Sequence, residues 1–222
     1  MISPTAIIED SADVAEGVVV SHWAYVGHGV SLAESVTVGH HSVVESGVVV
    51  GVGSRIWCFS RVRDGAVIGV RTNVGDHVYI GPGVTIGDDT RVGNGVQIHS
   101  PARVGDRVFL GPNSFLGNDR YPQIGPQSHF QPQPVTIDDD VIISASADIC
   151  GGVTIGRGAF VGMDANVLHD VPSGAIVFGN PAKVRGWRTV HEDADGVHFG
   201  PLCPSHRCAI CGRVDEEVPP SV

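Results

Sequence analysis

Several side chains in this chain have types and spacings that could do chemistry. His77 and His99 carry imidazoles, which titrate near neutral pH and can accept a proton from a nucleophile; His77 is the first candidate, with a hydrogen bond across a subunit contact as its alternative, and His99, on a different face, is the next. Asn118 and Asp119 stand in the run Asn118-Asp119-Arg120-Tyr121-Pro122, where an amide and a carboxylate can orient a polar ligand or close an Asx turn. Lys183, the only lysine, is followed by Arg185 and Arg188, a cluster suited to phosphates or simply to a solvated tail. Cys203, His206, Cys208 and Cys211, with His198 upstream, have a spacing that four tetrahedral zinc ligands could use. A full zinc ribbon has two Cys-x-x-Cys pairs and this stretch has one, so free thiols fit it as well. Cys58 and Cys150 are isolated and read as ordinary packing or groove residues.

The composition bounds what can hold these groups. The chain has 222 residues, 30 Gly, 14 Pro and a net charge of −10, with 42% hydrophobic and 17% charged residues. That composition supports a packed core, and the acidic balance argues against nucleic acid as the main partner. No apolar run is long enough for a membrane span and no basic-then-apolar leader opens the chain, so a cytoplasmic protein is expected.

One repeat dominates the organisation. Stepping by six from Ile8 to Leu116 meets Ile, Leu or Val at all nineteen positions. Four residues after each anchor from Ile8 to Leu110 comes a small or β-branched residue, ending at Ser114, and Gly often follows the anchor directly. Two inward residues per six suit short strands joined by tight corners, and three hexads make a triangular coil of about 18 residues stacked about 4.8 Å from the next. The phase breaks after Leu116 and resumes at Ile137, Ile143, Ile149, Ile155, Val161 and Val167. The spacing predicts an all-β parallel β-helix of about eight coils over 1–186, a protruding loop at 117–136, and a short tail at 187–222. A long loop inside a compact repeat is usually functional.

Outward positions fall into columns with one member per coil. One face is expected to carry Trp23, His41, Phe59, His77, Gly95 and Asn113, with Tyr25, Tyr79, Phe115, His22, His40 and Trp57 in neighbouring columns. A second is expected to carry Glu16, Glu34, Asp88, Asp106, Arg55, Arg71, Arg91 and Arg107. The charged face belongs in water, whereas the aromatic face is apolar enough to pack against another subunit.

The hexads, the ending Asp170-Val171-Pro172 and the run Gly179-Asn180-Pro181-Ala182-Lys183-Val184-Arg185 resemble the hexapeptide-repeat acyltransferases, which are left-handed β-helices. Arg55-Ile56-Trp57-Cys58-Phe59-Ser60, His77-Val78-Tyr79-Ile80, Gly111-Pro112-Asn113 and Asn118-Asp119-Arg120-Tyr121-Pro122 resemble the branch that N-acylates nucleotide-linked amino sugars. Within it the dTDP-3-amino-3,6-dideoxyhexose 3-N-acetyltransferases are most similar, followed by the UDP-3-amino-glucuronate enzymes. The chain differs at Gly117, Gln123 and His169, where relatives often have Thr, Arg and Lys.

The resemblance implies acetyl-CoA as co-substrate and a homotrimer with active sites between prisms. It implies His77 as proton acceptor, with Asn118 and Asp119 orienting the sugar or its amine. Trp57, Tyr79, Asn113, Arg120 and Tyr121 would contact the nucleotide sugar. Ala145, Ser146, Gly151, Gly152 and Gly162 would line the pantetheine arm, and Lys183, Arg185 and Arg188 would meet the CoA phosphates. Hexapeptide enzymes that acetylate hydroxyls usually place His before a Pro in this loop; here Tyr121 precedes Pro122, which favours an amine acceptor. A sugar O-acetyltransferase, a gamma-type carbonic anhydrase and a non-catalytic scaffold remain alternatives. The second has support in His22 and His40, which stack one coil apart, but lacks the His-x4-His spacing.

Overall fold

The computed structural model describes residues 1–124 and 130–188, and the backbone of two further strands, Val190–Asp193 and Gly196–Phe199. Two-residue strands alternate with four-residue corners, as the period of six requires. In each strand the second residue is the anchor and points inward. Ile8 and Val14, at the open first coil, are partly buried, and every anchor from Val20 to Leu116 is buried.

The strands form three parallel sheets that wall a prism. Face B has nine strands, from Ile7–Ile8 to Asn166–Val167; face C has eight, from Asp13–Val14 to Thr154–Ile155. Face A runs from Val19–Val20 to Phe160–Val161 and ends on Ala175–Phe178 and Lys183–Trp187. Each strand pairs in register with its equivalent on the next coil, as in Arg61↔Tyr79. The nineteen hexads before the loop and six after it start and finish on face B, so that face has nine strands to the eight of face C, and the stack is close to the expected count of about eight coils.

Most corners bend through a residue with positive φ, three after the anchor; those at Ser11 and Pro101 do not. From B to C these are glycines such as Gly29, Gly47, Gly65 and Gly83. From C to A they include Ser35, Arg71, Asp89, Arg107 and Asp140. From A to B they are Trp23, His41, Phe59, His77, Asn113, Ser146 and Asp164, apart from Gly95. A bulky residue in this region costs on the order of 1 kcal/mol. Glycine directly after an anchor has a different cause: a Cβ on Gly75 would lie 2.8 Å from the Asn94 nitrogen of the next coil.

Buried hydroxyls tie the coils together. Ser60 Oγ donates to the Gly75 carbonyl at 2.8 Å and accepts from the Val78 N–H at 3.0 Å. Ser54, Thr72 and Thr90 repeat this arrangement at the C-to-A corner.

The loop leaves the B-to-C corner after Phe115–Leu116. It returns at Val135, which is buried, and Thr136 already pairs with Arg103, so the excursion ends slightly before the expected residue 136. The stack then continues without loss of register. At the far end, Lys183–Trp187 pairs antiparallel with Ala175–Phe178, carrying the capped prism to Trp187, one residue past the expected boundary. A hairpin of Val190–Asp193 and Gly196–Phe199 follows within the expected tail. Cys203, His206, Cys208 and Cys211 lie outside the described residues.

Two column assignments need correction. Arg55 and Arg91 begin strands of face A, not the charged face. Tyr25, Tyr79 and Phe115 begin strands of face B, not the face of Trp57.

Candidate active site

The A-to-B corner carries a ladder of parallel rings. Trp23 and His41 are 6.5 Å apart, His41 and Phe59 5.0 Å, and Phe59 and His77 5.1 Å, with interplanar angles of 14°, 7° and 5°. Stacking worth about 0.5–1.5 kcal/mol per pair offsets the positive φ of these residues. Trp23 and Phe59 are nevertheless 62% and 53% exposed.

The ladder stops at His77. The next position is Gly95, and the amide of Asn113 fills the place its side chain would take: a Cβ on Gly95 would lie 2.3 Å from Asn113 Oδ1. His77 thus has Phe59 against one ring face and a glycine step on the other side, with its backbone N–H held by the Cys58 carbonyl at 3.0 Å. His77 is exposed, and Ala145 and Ser146 continue the same corner beyond Asn113.

Trp57 stands on face A beside this corner. Its Nε1–H donates to Asn73 Oδ1 at 2.8 Å, fixing the indole over a recess of about 230 Å³ lined by Asn73, Asp76, Arg91, Asn94 and Phe109. Asp76 precedes His77 directly, so recess and corner share a rim. Nothing in the one-dimensional pattern singles out Asn73, Asp76 or Asn94, and it places Arg91 on the charged face. The signal that would find them is the stacking of Asn73 on Arg91 and of Asp76 on Asn94, one coil apart, read against the corrected strand phase.

A second group lies on face B and the B-to-C corner. His99 sits between Tyr79 and Phe115, at centroid distances of 5.4 and 5.1 Å. Burial pushes its imidazole pKa below the ordinary value. Tyr79 Oη also accepts from Arg63 Nη1 at 3.5 Å, and Arg63 pairs with Glu45 at 2.6 Å.

The loop residues are occupied with shaping the loop. Asn118 Nδ2 donates to the Ser100 carbonyl at 2.6 Å, and Asp119 Oδ1 accepts the Tyr121 N–H at 2.9 Å, which closes an Asx turn. Arg120 donates to the Leu168 carbonyl on the last coil, while Tyr121 is 71% exposed. Gly151 packs under Asn118, and Gly152 lies against Gln133 at the returning end of the loop.

Two expected CoA contacts have structural duties. Gly162 is covered by Phe178, whose ring carbon would lie 1.8 Å from a Cβ there. Arg188 is half-buried and donates to the carbonyls of Gly158 at 3.0 Å and Asp140 at 3.4 Å, binding the cap to the last coils. Lys183 and Arg185 are exposed on the cap strand. His22 and His40 lie parallel at 5.7 Å, and His22 Nδ1 is taken by Ser3 and Thr5 at 2.8 and 2.9 Å; the two rings stack rather than converge on one point.

Residues 83–118 match the family model for bacterial transferase hexapeptide (six repeats), and residues 65–100 match that for the hexapeptide repeat of succinyl-transferase. A 2,3,4,5-tetrahydropyridine-2,6-dicarboxylate N-acetyltransferase of Staphylococcus aureus (strain JH9) is 57% identical over 51 residues, 23% of this chain and 21% of that protein. The chain therefore spans about a fifth of the length of such curated relatives. Among solved structures, a UDP-N-acetylglucosamine acyltransferase is similar with a TM-score of 0.76 and 23% identity, over 84% of this chain and 74% of that one. The same enzyme from Bacteroides fragilis 9343 gives 0.72 and 19%, again over 84% and 74%.

The structural likeness establishes the fold as a left-handed parallel β-helix. Residues 65–118 are thus hexapeptide repeats of the kind those two family models describe. Among the described residues no helix is long and apolar enough to cross a membrane.

Proposed function

We propose that the protein is an acetyl-CoA-dependent N-acyltransferase that acts, as a cytoplasmic homotrimer, on the amine of a nucleotide-linked aminodeoxy sugar. A dTDP-3-amino-3,6-dideoxyhexose is the favoured acceptor and a UDP-amino sugar the next. The observation that carries this reading is the line along the A-to-B corner: His77, the step at Gly95, Asn113, then Ala145 and Ser146. At one coil per position the line from His77 to Ser146 covers about 14 Å, a length suited to an extended pantetheine arm.

Support for the trimer comes from what a single chain keeps apart. His77 and Trp57 lie on the A side, whereas Asn118, Arg120 and Tyr121 lie at the B-to-C corner. They can serve one site only if a second chain brings its loop to the corner of the first. The exposed Trp23 and Phe59 are the kind of surface such a neighbour covers.

In this reading His77 takes a proton from the substrate ammonium, the amine nitrogen attacks the thioester carbonyl, and the carbon–sulfur bond breaks. The imidazolium then returns the proton to the departing thiolate, and the nitrogen, positively charged after its attack, loses its second proton to water to leave the neutral amide. Asn113 is near enough along the corner to orient the amine, while Asn118 and Asp119 act by shaping the loop that carries Arg120 and Tyr121 to the sugar. Lys183 and Arg185, exposed on the cap, are available to the CoA phosphates.

Thiol release from acetyl-CoA, measured against dTDP- and UDP-linked amino sugars and their matched hydroxyl sugars, tests this. Turnover with amines alone is the expected result. Turnover with hydroxyls alone would make the protein an O-acetyltransferase, and no CoA binding would leave a β-helix with another purpose.

A further inference from the structure

The recess on face A has a pattern of free hydrogen-bonding groups that the preceding reading does not use. Asp76 Oδ1 accepts the Cys58 N–H at 2.8 Å, leaving its second carboxylate oxygen without a hydrogen-bond donor among the described residues. Asn94 Oδ1 accepts the Asp76 N–H at 3.0 Å, which orients its Nδ2 as a free donor. These two groups stand one coil apart on the same wall. Trp57, 41% exposed and fixed by Asn73, supplies a flat apolar plate, and Phe109 supplies another with the Arg91 guanidinium 6.0 Å from its centroid.

Charge adds a second feature. Arg55 and Arg91 bracket Asn73 on face A, in the register Arg55↔Asn73↔Arg91. Both are exposed, and among the described residues neither is in an ion pair. Arg61, Arg63, Arg71, Arg107 and Arg157 are all paired with carboxylates. In a chain of net charge −10, two unpaired guanidiniums about 10 Å apart beside an aromatic recess suit a diphosphate.

We propose that this recess is the nucleoside diphosphate subsite and that it selects a pyrimidine imide, uracil or thymine. The ring stacks on Trp57, its N3–H donates to Asp76, and its O4 accepts from Asn94 Nδ2. The diphosphate lies toward Arg91 and Arg55, and the sugar leaves over the rim that Asp76 shares with His77. Cytosine presents the opposite edge, with an amino donor where uracil has O4 and an acceptor at N3, so it meets a donor with a donor and an acceptor with an acceptor. This inference rests on the nucleotide-linked acceptor proposed above and assigns the residues that read its base.

The exchange Asp76→Asn with Asn94→Asp tests it with little risk to the fold. Both new side chains keep an Oδ1 for the backbone N–H groups of Cys58 and residue 76, so both existing hydrogen bonds survive. Calorimetric titration of the intact wild-type protein with UDP, dTDP, CDP and ADP should show UDP and dTDP binding at least about tenfold more tightly than CDP or ADP. In the exchanged variant CDP should become the preferred pyrimidine. Equal binding of UDP and CDP, or a preference that the exchange leaves unchanged, overturns the base assignment. Absence of nucleotide binding with acetyl transfer to an amine still present also overturns it, while leaving the N-acyltransferase reading intact. Loss of both nucleotide binding and transfer would refute that reading itself.

Discussion

Ser60 and Ser114 occupy equivalent places at the A-to-B corner, and both are buried, at 1% and 0% exposure. Their surroundings differ in one respect. Ser60 Oγ bridges two coils through the Gly75 carbonyl and the Val78 N–H, while Ser114 Oγ has no hydrogen-bond partner among the described residues. The same substitution, Ser→Ala, should therefore have different consequences.

Ser60→Ala leaves a buried carbonyl and a buried N–H without their partner, at about 1–3 kcal/mol each, and removes too little volume to open a cavity. With partial relaxation the expected loss is about 2–4 kcal/mol. For a domain of this size that is a fall in melting temperature of roughly 5–15 °C. Ser114→Ala removes an already unsatisfied hydroxyl and should be neutral or stabilising by up to about 1 kcal/mol. Thermal unfolding and urea titration of both variants at one protein concentration make the comparison, with concentration fixed because assembly contributes to apparent stability. Equal losses in the two variants, or a loss under about 0.5 kcal/mol for Ser60→Ala, would refute the argument that these hydroxyls tie the coils together.

Other tests address the remaining charges and the tail. Burial works against the Asp140 charge, but Arg107 and Arg157, at 2.7 and 3.0 Å, outweigh it and hold the carboxyl below its ordinary range. Its contribution is present above an unfolded value near 3.8 and is lost as pH falls through the lower folded value. Asp140→Asn, which tolerates the same positive φ, should cost about 0.5–2 kcal/mol at neutral pH, and its stability should converge with wild type in acid; a constant difference at every pH would rule out the ion pairs as its source. His77→Asn should lower turnover at least about tenfold with CoA binding retained, and an unchanged pH–rate profile would remove His77 from the role of base. The Cys203, His206, Cys208 and Cys211 spacing predicts close to one zinc per chain in protein purified without chelators; less than about a tenth of an equivalent would dispose of it.

The period of six suffices to predict the inward residues, because every anchor from Val20 onward must fill a narrow prism and only aliphatic side chains do so at that spacing. The outward faces are harder to read. A strand begins one residue before its anchor and the corner takes up the four between, so Arg55, five residues after Val50, opens the next face. Counting outward residues from the preceding anchor misplaces Arg55, Arg91 and Tyr79 for that reason. The ring ladder is legible as a column, but its positive φ is not, since Trp and Phe are poor sequence markers of that conformation. Asn118 and Asp119 are recognisable as a loop signal, but the bond from Asn118 to the Ser100 carbonyl one coil away is visible only in the fold. Asp76 and Asn94 are invisible as a pair because they are neighbours through stacking alone.

The proposed site is completed by two chains. Two variants can be prepared separately, one with His77→Asn and one with Arg120→Ala and Tyr121→Ala, each expected to have little activity with acetyl-CoA and an amino-sugar nucleotide. Unfolded together in equal amounts and reassembled, they should recover about a quarter of wild-type turnover, since that fraction of corner-and-loop pairs in randomly mixed rings has both halves intact. Mixing that yields no more activity than the separate variants, while wild type treated in the same way recovers fully, would contradict a site shared between chains.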